Sequence, residues 1–278
     1  MDDLGHYVAD DELAIAPLAG LGWQVETVSW RDETVDWNDY ESVIIRTPWD
    51  YQRDPEAFLR VLEAIDSSSA RLENSIDIVC WNLKKTYLRE LEEKGVNIVP
   101  TIWKDKGIVE GDVREWLDHF GTGEVVIKPI VSATAEFTYR LSEFSPELTE
   151  IFPNREYMVQ PFMPEIVREG EFSLFYFSGK YSHTILKTPK QLDFRVQEEH
   201  GGIIRAVEPS RKLRFIAEHI LQFIPSQPLY ARIDLVRDGR DSFALMELEL
   251  IEPALYFRMD GQSPVRFAEA LDVRMSGE

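Results

Sequence analysis

The chain has a single cysteine, Cys80, so no internal disulfide can form, and a reducing, cytoplasmic location is the expectation. Cys80 sits in the apolar run Ile78-Val79-Cys80-Trp81, which predicts a buried thiol. Positive charge is scarce: 30 Lys and Arg face 50 Asp and Glu, a formal net charge of −20. Binding along a nucleic-acid backbone needs a cationic face to displace counterions, so nucleic acid is excluded as a partner. A single nucleotide can still be held where a few Lys and Arg converge. No apolar run approaches the ~18 residues of a membrane span, and Met1-Asp2-Asp3 lacks the basic start of a secretion signal, so no membrane partner is expected. The GxxxxGK[ST] and GxGxxG nucleotide turns, the Gly-x-Ser-x-Gly nucleophile elbow, Cys-x-x-Cys and His-x-x-x-His are all missing. Any nucleotide site is therefore of another type, and the five scattered histidines fit structural or exposed positions. Oligomeric state is not legible from the composition.

What is present is a 32.2 kDa chain with 44% hydrophobic residues, enough for one large or two medium folded domains. Asp10 and Asp11 precede a helical run from Leu13 to Leu21, followed by a strand over Gln24–Trp30 and another at Ser42–Arg46. A helix follows from Pro55 to about Ile65, which gives half of a parallel α/β layer. A first strand before residue 10 has no room, so the layer is trimmed or the start codon is assigned late. Asn82 is expected to open a helix that ends at Gly95, with Lys85 on its first turn. Strands are expected at Val96–Thr101, Glu124–Pro129, Tyr157–Phe162, Glu171–Phe177 and Tyr181–Lys187, and helices at Arg114–Phe120 and Ser210–Phe223. The second half thus reads as α+β, rich in antiparallel strands.

A closing hairpin, Leu229–Val236 and Phe243–Leu250, carries the chemistry. Its turn, Arg237-Asp238-Gly239-Arg240-Asp241, contains Asp-Gly, a strong hairpin signal. Alternate residues of a strand share a face, so Glu247 and Glu249 point together, Leu248 points into the core, and Asp234 joins them from the paired strand. Three carboxylates at one place repel unless a cation lies among them, and hard oxygen ligands beside phosphates suit Mg²⁺. In so acidic a chain the same residues also fit the solvated face of an ordinary hairpin.

Lys85, and Lys128 at the end of a buried strand, are compact charges suited to phosphate oxygens, or else surface lysines. Gln160-Pro161-Phe162 follows an apolar strand whose backbone can meet an adenine rim, and Glu171 can accept from ribose hydroxyls. Alternatively this is a plain sheet strand with a surface acid. Lys187, Arg195 and the loop to Gly201-Gly202 follow, where the diglycine permits close backbone approach to an anion. Arg46 and Trp49 end a parallel strand, where α/β layers bind ligands. Arg46 can grip a substrate carboxylate beside Trp49, or pair with Asp50 while Trp49 fills core.

These residues together resemble the ATP-grasp superfamily, specifically its glutathione-synthetase-like carboxylate–amine ligases, nearest the group that includes the O-ureido-serine cyclo-ligase of cycloserine biosynthesis. The resemblance spans nearly the whole chain and is strongest from Trp81 onward. Trp81-Asn82-Leu83-Lys84-Lys85-Thr86-Tyr87-Leu88 is similar to the group's Trp-Asn-x-Asp-Lys-x-Tyr-Leu segment, with Lys84 replacing an acid. Phe194-Arg195-Val196-Gln197 through Gly201-Gly202 is similar to the Phe-Arg-x-Asn loop of the ribosomal-protein glutamate ligases. Arg232, Asp234, Glu247 and Glu249 fall on the family's Arg-x-Asp and Glu-x-Asn motif, with Glu249 where Asn is usual. After Lys128, Val131-Ser132-Ala133-Thr134-Ala135 replaces a glycine-rich phosphate loop, which implies a stiffer lid.

The resemblance implies an ATP-grasp fold at 82–278, with a small subdomain at about 100–160 and a metal-binding subdomain at about 161–278, behind a small α/β domain at 1–81. It implies ATP held by Lys85, Lys128, Gln160, Pro161, Phe162 and Glu171, and Mg²⁺, or Mn²⁺ in its place, on Asp234, Glu247 and Glu249. Arg195, Arg232 and Lys187 would act in catalysis, and Arg46, Trp49 and Asp50 would meet substrate. The activity implied is ligation of a small amino-acid-like carboxylate to an amine, or its cyclisation, through an acylphosphate. A nucleotide-binding scaffold without turnover and a kinase that stops at phosphoryl transfer are the alternatives.

Overall fold

A computed structural model describes residues 1–5, 7–191, 193–239 and 241–277; Arg240 of the expected turn lies outside them. In the N-terminal layer, α1 (Ile15–Gly20) precedes β1 (Ser42–Ile44), which pairs in parallel with β2 (Arg71–Glu73) across α2 (Pro55–Asp66). Helix α2 starts where Asp54 accepts from the Ala57 amide at 2.9 Å with Pro55 in the first turn, and it buries Phe58, Leu62 and Ile65. The strand expected at Gln24–Trp30 does not form: residues 23–29 run without a ladder along a mostly exposed path.

Helices α3 (Ile76–Asn82) and α4 (Tyr87–Glu93) follow. Asn82 therefore ends a helix rather than opening one, and Lys85 lies in the link between them, its amide donating to the Ile130 carbonyl at 2.9 Å. Cys80 is exposed, contrary to expectation. The apolar run is helical, so Ile78 and Val79 face inward and Cys80, a further 100° round, faces out. The strand expected at Val96–Thr101 shrinks to one parallel bridge, Ile98 with Leu245, since Pro100 offers no N–H to extend it.

A four-stranded antiparallel sheet follows, in the order β3 (Ile102–Lys104), β6 (Tyr157–Pro161), β4 (Val125–Pro129), β5 (Tyr139–Leu141). Helices α5 (Glu110–Phe120) and α6 (Glu147–Ile151) cover it, burying Val113, Trp116 and Leu148 against Ile127 and Val159. After α7 (Glu165–Arg168) come β7 (Glu171–Phe177), β8 (Lys180–Thr188), β9 (Ile203–Ala206), α8 (Arg211–Leu221), β10 (Tyr230–Arg237), β11 (Phe243–Glu249) and α9 (Ser263–Ser276). These strands form a second antiparallel sheet in the order β11-β10-β7-β8-β9.

The second sheet has two unlike faces. On one, Leu174, Tyr176, Ile233 and Leu248 pack with Leu88 of α4 and Leu213 and Ala217 of α8. On the other, the odd residues of β7 run Glu171, Ser173, Phe175, Phe177, in register with Asp234, Arg232 and Tyr230 of β10. The aromatic end of this face lies under Phe267 and Leu271 of α9, and the charged end is open.

The outer edge of β11 is closed by side chains from the link between the N-terminal layer and the first sheet. Asn82 donates to the Leu248 carbonyl at 2.9 Å and accepts from the Leu250 amide at 3.0 Å, and the Tyr87 hydroxyl accepts from the Leu248 amide at 2.9 Å. Replacing either side chain leaves buried backbone groups unpaired. Asn82→Ala is expected to cost about 3 kcal/mol and Tyr87→Phe about 1–2 kcal/mol, read as lower urea midpoints at unchanged slope.

Candidate functional site

The charged end of the second sheet forms the floor of a cleft whose other wall is the first sheet. Cross-strand register puts Glu247 opposite Asp234 and Glu249 opposite Arg232, and β8 sets Lys187 opposite Glu171. The floor is a continuous ion-pair network. Lys187 Nζ lies 2.5 Å from Glu171 and 3.1 Å from Asp234. Arg232 reaches Asp234 at 3.0 Å, Glu249, and the Ala254 carbonyl at 3.3 Å. Ser173 Oγ donates to Asp234 at 2.6 Å. Burial disfavours the Asp234 carboxylate, yet Arg232 and Lys187 outweigh it and bring its pKa down to about 2. Burial likewise opposes the Lys187 ammonium, and Asp234 and Glu171 more than restore it. Glu171 stays above the usual carboxylate range, because burial exceeds the pull of Lys187.

The expected convergence of three carboxylates is not the arrangement found. Among the described residues no three His, Cys, Asp or Glu side chains come close enough to hold an ion. Asp234 lies beneath Lys187 and Arg232 and does not reach the cleft wall. Glu247 pairs with Lys85 and Glu249 with Arg232. The donor set itself suits a hard divalent ion: Glu247 and Glu249 project from one face of β11 into the cleft, with Asp234 in register behind. Burial works against the charge of Glu247, but Lys85 and Lys128 hold its pKa below the ordinary value. Burial, reinforced by Glu247 and Asp234, lifts Glu249 to about 7 despite Arg232.

From the first sheet, Lys128 of β4 and Gln160 of β6 face the same cleft. Among the described residues Lys128 has no ion pair, and burial, with Lys85 adding to it, lowers its pKa in spite of Glu247. Lys85 also donates to the Ser132 carbonyl at 3.1 Å. Gln160 is buried and donates to Thr101 at 3.0 Å. Pro161 and Phe162 line the cleft beyond it, the Phe162 amide donating to the Glu124 carbonyl at 3.0 Å. Ser132, Ala133, Thr134 and Ala135 form a cover, with Thr134, Ala135 and Phe137 in left-handed backbone at φ of 53°, 57° and 55°.

Several expectations are corrected. Arg46 does not line the cleft and is not paired with Asp50: it bonds Asp11 at 2.6 Å and the Pro253 carbonyl at 2.7 Å. Asp50 is likewise away from the cleft, accepting from Trp30 Nε1 at 3.1 Å and from Arg31. Trp49 does line it, and its Nε1 donates to the Glu252 carbonyl at 2.8 Å. Arg195 faces the cleft while gripped by Asp193 at 2.9 Å. The diglycine serves the loop's own closure: a Cβ on Gly202 would lie 2.0 Å from the Val196 carbonyl oxygen. Tyr7, Tyr51, Glu252 and Tyr256 were not foreseen as lining the cleft. Glu252 continues the acidic series of β11 just before Pro253, and burial, aided by Glu249, lifts its pKa to about 8.

Comparison with known proteins gives a consistent result. Residues 1–74 match the family model described as the D-cycloserine synthetase DcsG N-terminal domain. The cycloserine biosynthesis protein DcsG of Streptomyces lavendulae is 30% identical over 254 residues, covering 85% of this chain and 84% of that protein. The crystal structure of D-cycloserine synthetase DcsG superposes with a TM-score of 0.83 at 27% identity, over 95% of this chain and 94% of that one. The ATP-grasp ligase PsnB, solved with a phosphomimetic precursor variant, Mg and ADP, shares the fold at a TM-score of 0.65 and 13% identity, covering 96% and 94% of the two chains. Among the described residues no helix is long and apolar enough to cross a membrane.

Removing the shared cation of the floor strands two buried acids. Lys187→Met is expected to destabilise the fold by about 3–5 kcal/mol, and adding Glu171→Gln to recover part of that, measured by urea unfolding of the single and double variants.

Proposed function

The chain belongs to the ATP-grasp carboxylate–amine ligase superfamily, enzymes that form C–N bonds at the expense of ATP, and from that membership we propose that it joins a small amino-acid-like carboxylate to an amine, or cyclises one, through an acylphosphate. The observation that carries this reading is the meeting of Lys85 and Lys128 with Glu247 and Glu249 across one cleft between two sheets. ATP would lie there with its phosphates toward the two lysines and its base along Gln160, Pro161 and Phe162, and Glu171 within reach of the ribose. Residues 1–81 form the substrate side and 82–278 the nucleotide side, with subdomains at about 100–160 and 161–278. We place the reaction in the cytoplasm.

A divalent metal, Mg²⁺ in the first instance, would be held by Glu247 and Glu249 with Asp234 behind them, and would supply charge neutralisation between the phosphates and the substrate carboxylate. The chain's own cations do the rest. The γ-phosphoryl group passes to a carboxylate oxygen and ADP leaves. The amine nitrogen then bonds to the acyl carbon while the C–O bond to phosphate breaks and the amine gives up a proton. No protein nucleophile is needed. Lys85, Lys128 and Arg232 neutralise charge that moves between phosphate and acyl oxygens, and Arg195 does so once it turns from Asp193. Lys187 holds Glu171 and Asp234 in place beneath them. The cover at residues 132–135 excludes water that would hydrolyse the acylphosphate.

Glu247→Gln is expected to weaken calorimetric binding of Mg-AMPPNP by about tenfold or more and to lower amine-dependent ADP release by on the order of 100-fold, in a protein that stays folded at the assay temperature though its melting temperature falls. Unchanged turnover would remove this mechanism. ADP release that ignores the amine would make the protein a kinase.

A further inference from the structure

The cleft holds a second recognition element beside the phosphate-facing lysines. Glu171, Glu247 and Glu249 each face a cation, but among the described residues no Lys or Arg forms an ion pair with Glu252. Lys85 and Arg232 act on Glu252 only through space, Lys85 being bound to Glu247 and the Ser132 carbonyl and Arg232 to Asp234 and Glu249. Two aromatic side chains flank it. The Tyr51 hydroxyl lies near its carboxyl, and burial together with that carboxyl raises the phenol's pKa. Trp49 is anchored to its backbone carbonyl at 2.8 Å, and Tyr7 packs edge-on against Trp49 with ring centroids 5.5 Å apart. All three rings line the cleft.

A half-buried carboxyl with no ion-pair partner is costly to ionise, and a ligand that brings a positive charge relieves that cost. Ring faces favour a cation for the same electrostatic reason. A second anion is rejected there, because Glu249 and Glu247 already bear on Glu252. We propose that Glu252, walled by Trp49, Tyr51 and Tyr7, is the subsite that takes the ammonium group of an amine-bearing substrate. The proposal rests on the ligase reading and adds to it a polarity: phosphate and carboxylate chemistry at the lysines, positive charge at Glu252. A substrate whose amine is replaced by a methyl group or a neutral amide leaves the carboxylate unmatched, so the enzyme selects amino-acid-like molecules over their deaminated analogues.

Calorimetry on the full-length protein tests this with two probes of one skeleton, alaninamide, which carries an ammonium and no carboxylate, and propionamide, which lacks the ammonium. Wild type is expected to bind alaninamide saturably and at least about tenfold more tightly than propionamide, the scale of one charge-assisted hydrogen bond. Glu252→Gln should abolish that preference and keep the affinity for Mg-AMPPNP. Glu252→Asp, which retains the charge on a shorter arm, should keep a reduced preference, and it decides the matter if the Gln variant melts early. No saturable alaninamide binding by wild type, equal binding of the two probes, or a preference that survives in Glu252→Gln overturns the subsite. Loss of Mg-AMPPNP binding in wild type with the alaninamide preference intact would instead overturn the ligase reading.

Discussion

Everything in this molecule's working cleft depends on one electrostatic constraint: acids on a buried sheet face must be met by cations held within reach. Glu171, Asp234, Glu247 and Glu249 are met by Lys187, Arg232 and Lys85 at hydrogen-bonding distance, in a pattern fixed by strand register. A slip of one residue between β10 and β11 would turn every one of the β11 acids into the apolar layer beneath. The hydrophobic alternation that buries Ile233 and Leu248 is therefore the same feature that aims the acids. Burying such pairs contributes little net stability, and its value lies in orientation.

The division of β7 shows how a single strand serves packing and chemistry together. Its residues toward the cleft change from Glu171 and Ser173 to Phe175 and Phe177 over seven positions, and α9 covers only the aromatic part. The open remainder is the cleft floor. The first sheet meets it from the other side, bringing Lys128 close enough for Lys85 to depress its pKa. Two cations held near each other are unfavourable until polyanionic oxygens come between them, which fits the nucleotide role proposed for the pair.

Much of this could be read in the sequence where the signals were local. The Asp-Gly turn and the alternation around it gave the closing hairpin, and the apolar strand ending in Lys128 gave the first sheet's contribution. The failures were long-range. Arg46 looked free for substrate because its partner, Asp11, is distant in the chain, while the acid next in view, Asp50, belongs to Arg31. Cys80 was misplaced because a short apolar run does not declare its period, and a helix turns every fourth side chain where a strand turns every second. Asn82 and Tyr87 matched a motif, but their task on the backbone of β11 is tertiary. The diglycine showed a need for close approach without saying to what, and Gly202 approaches its own loop. Helix α9 went unforeseen because Ser263–Ser276 mixes apolar and charged residues with little periodic contrast.

The edge of β11 is held entirely by uncharged groups: an amide, a phenol and neighbouring peptide bonds. The charge on the strand is confined to Glu247 and Glu249, which face the cleft. Support and chemistry on this strand are thus insulated from one another, since no hydrogen bond that fixes its backbone changes strength when a carboxylate exchanges a lysine for another positive partner. Glu247 and Glu249 can trade partners through side-chain rotation while the strand stays still. An exchange of partners at these acids asks no hinge of the strand that carries them.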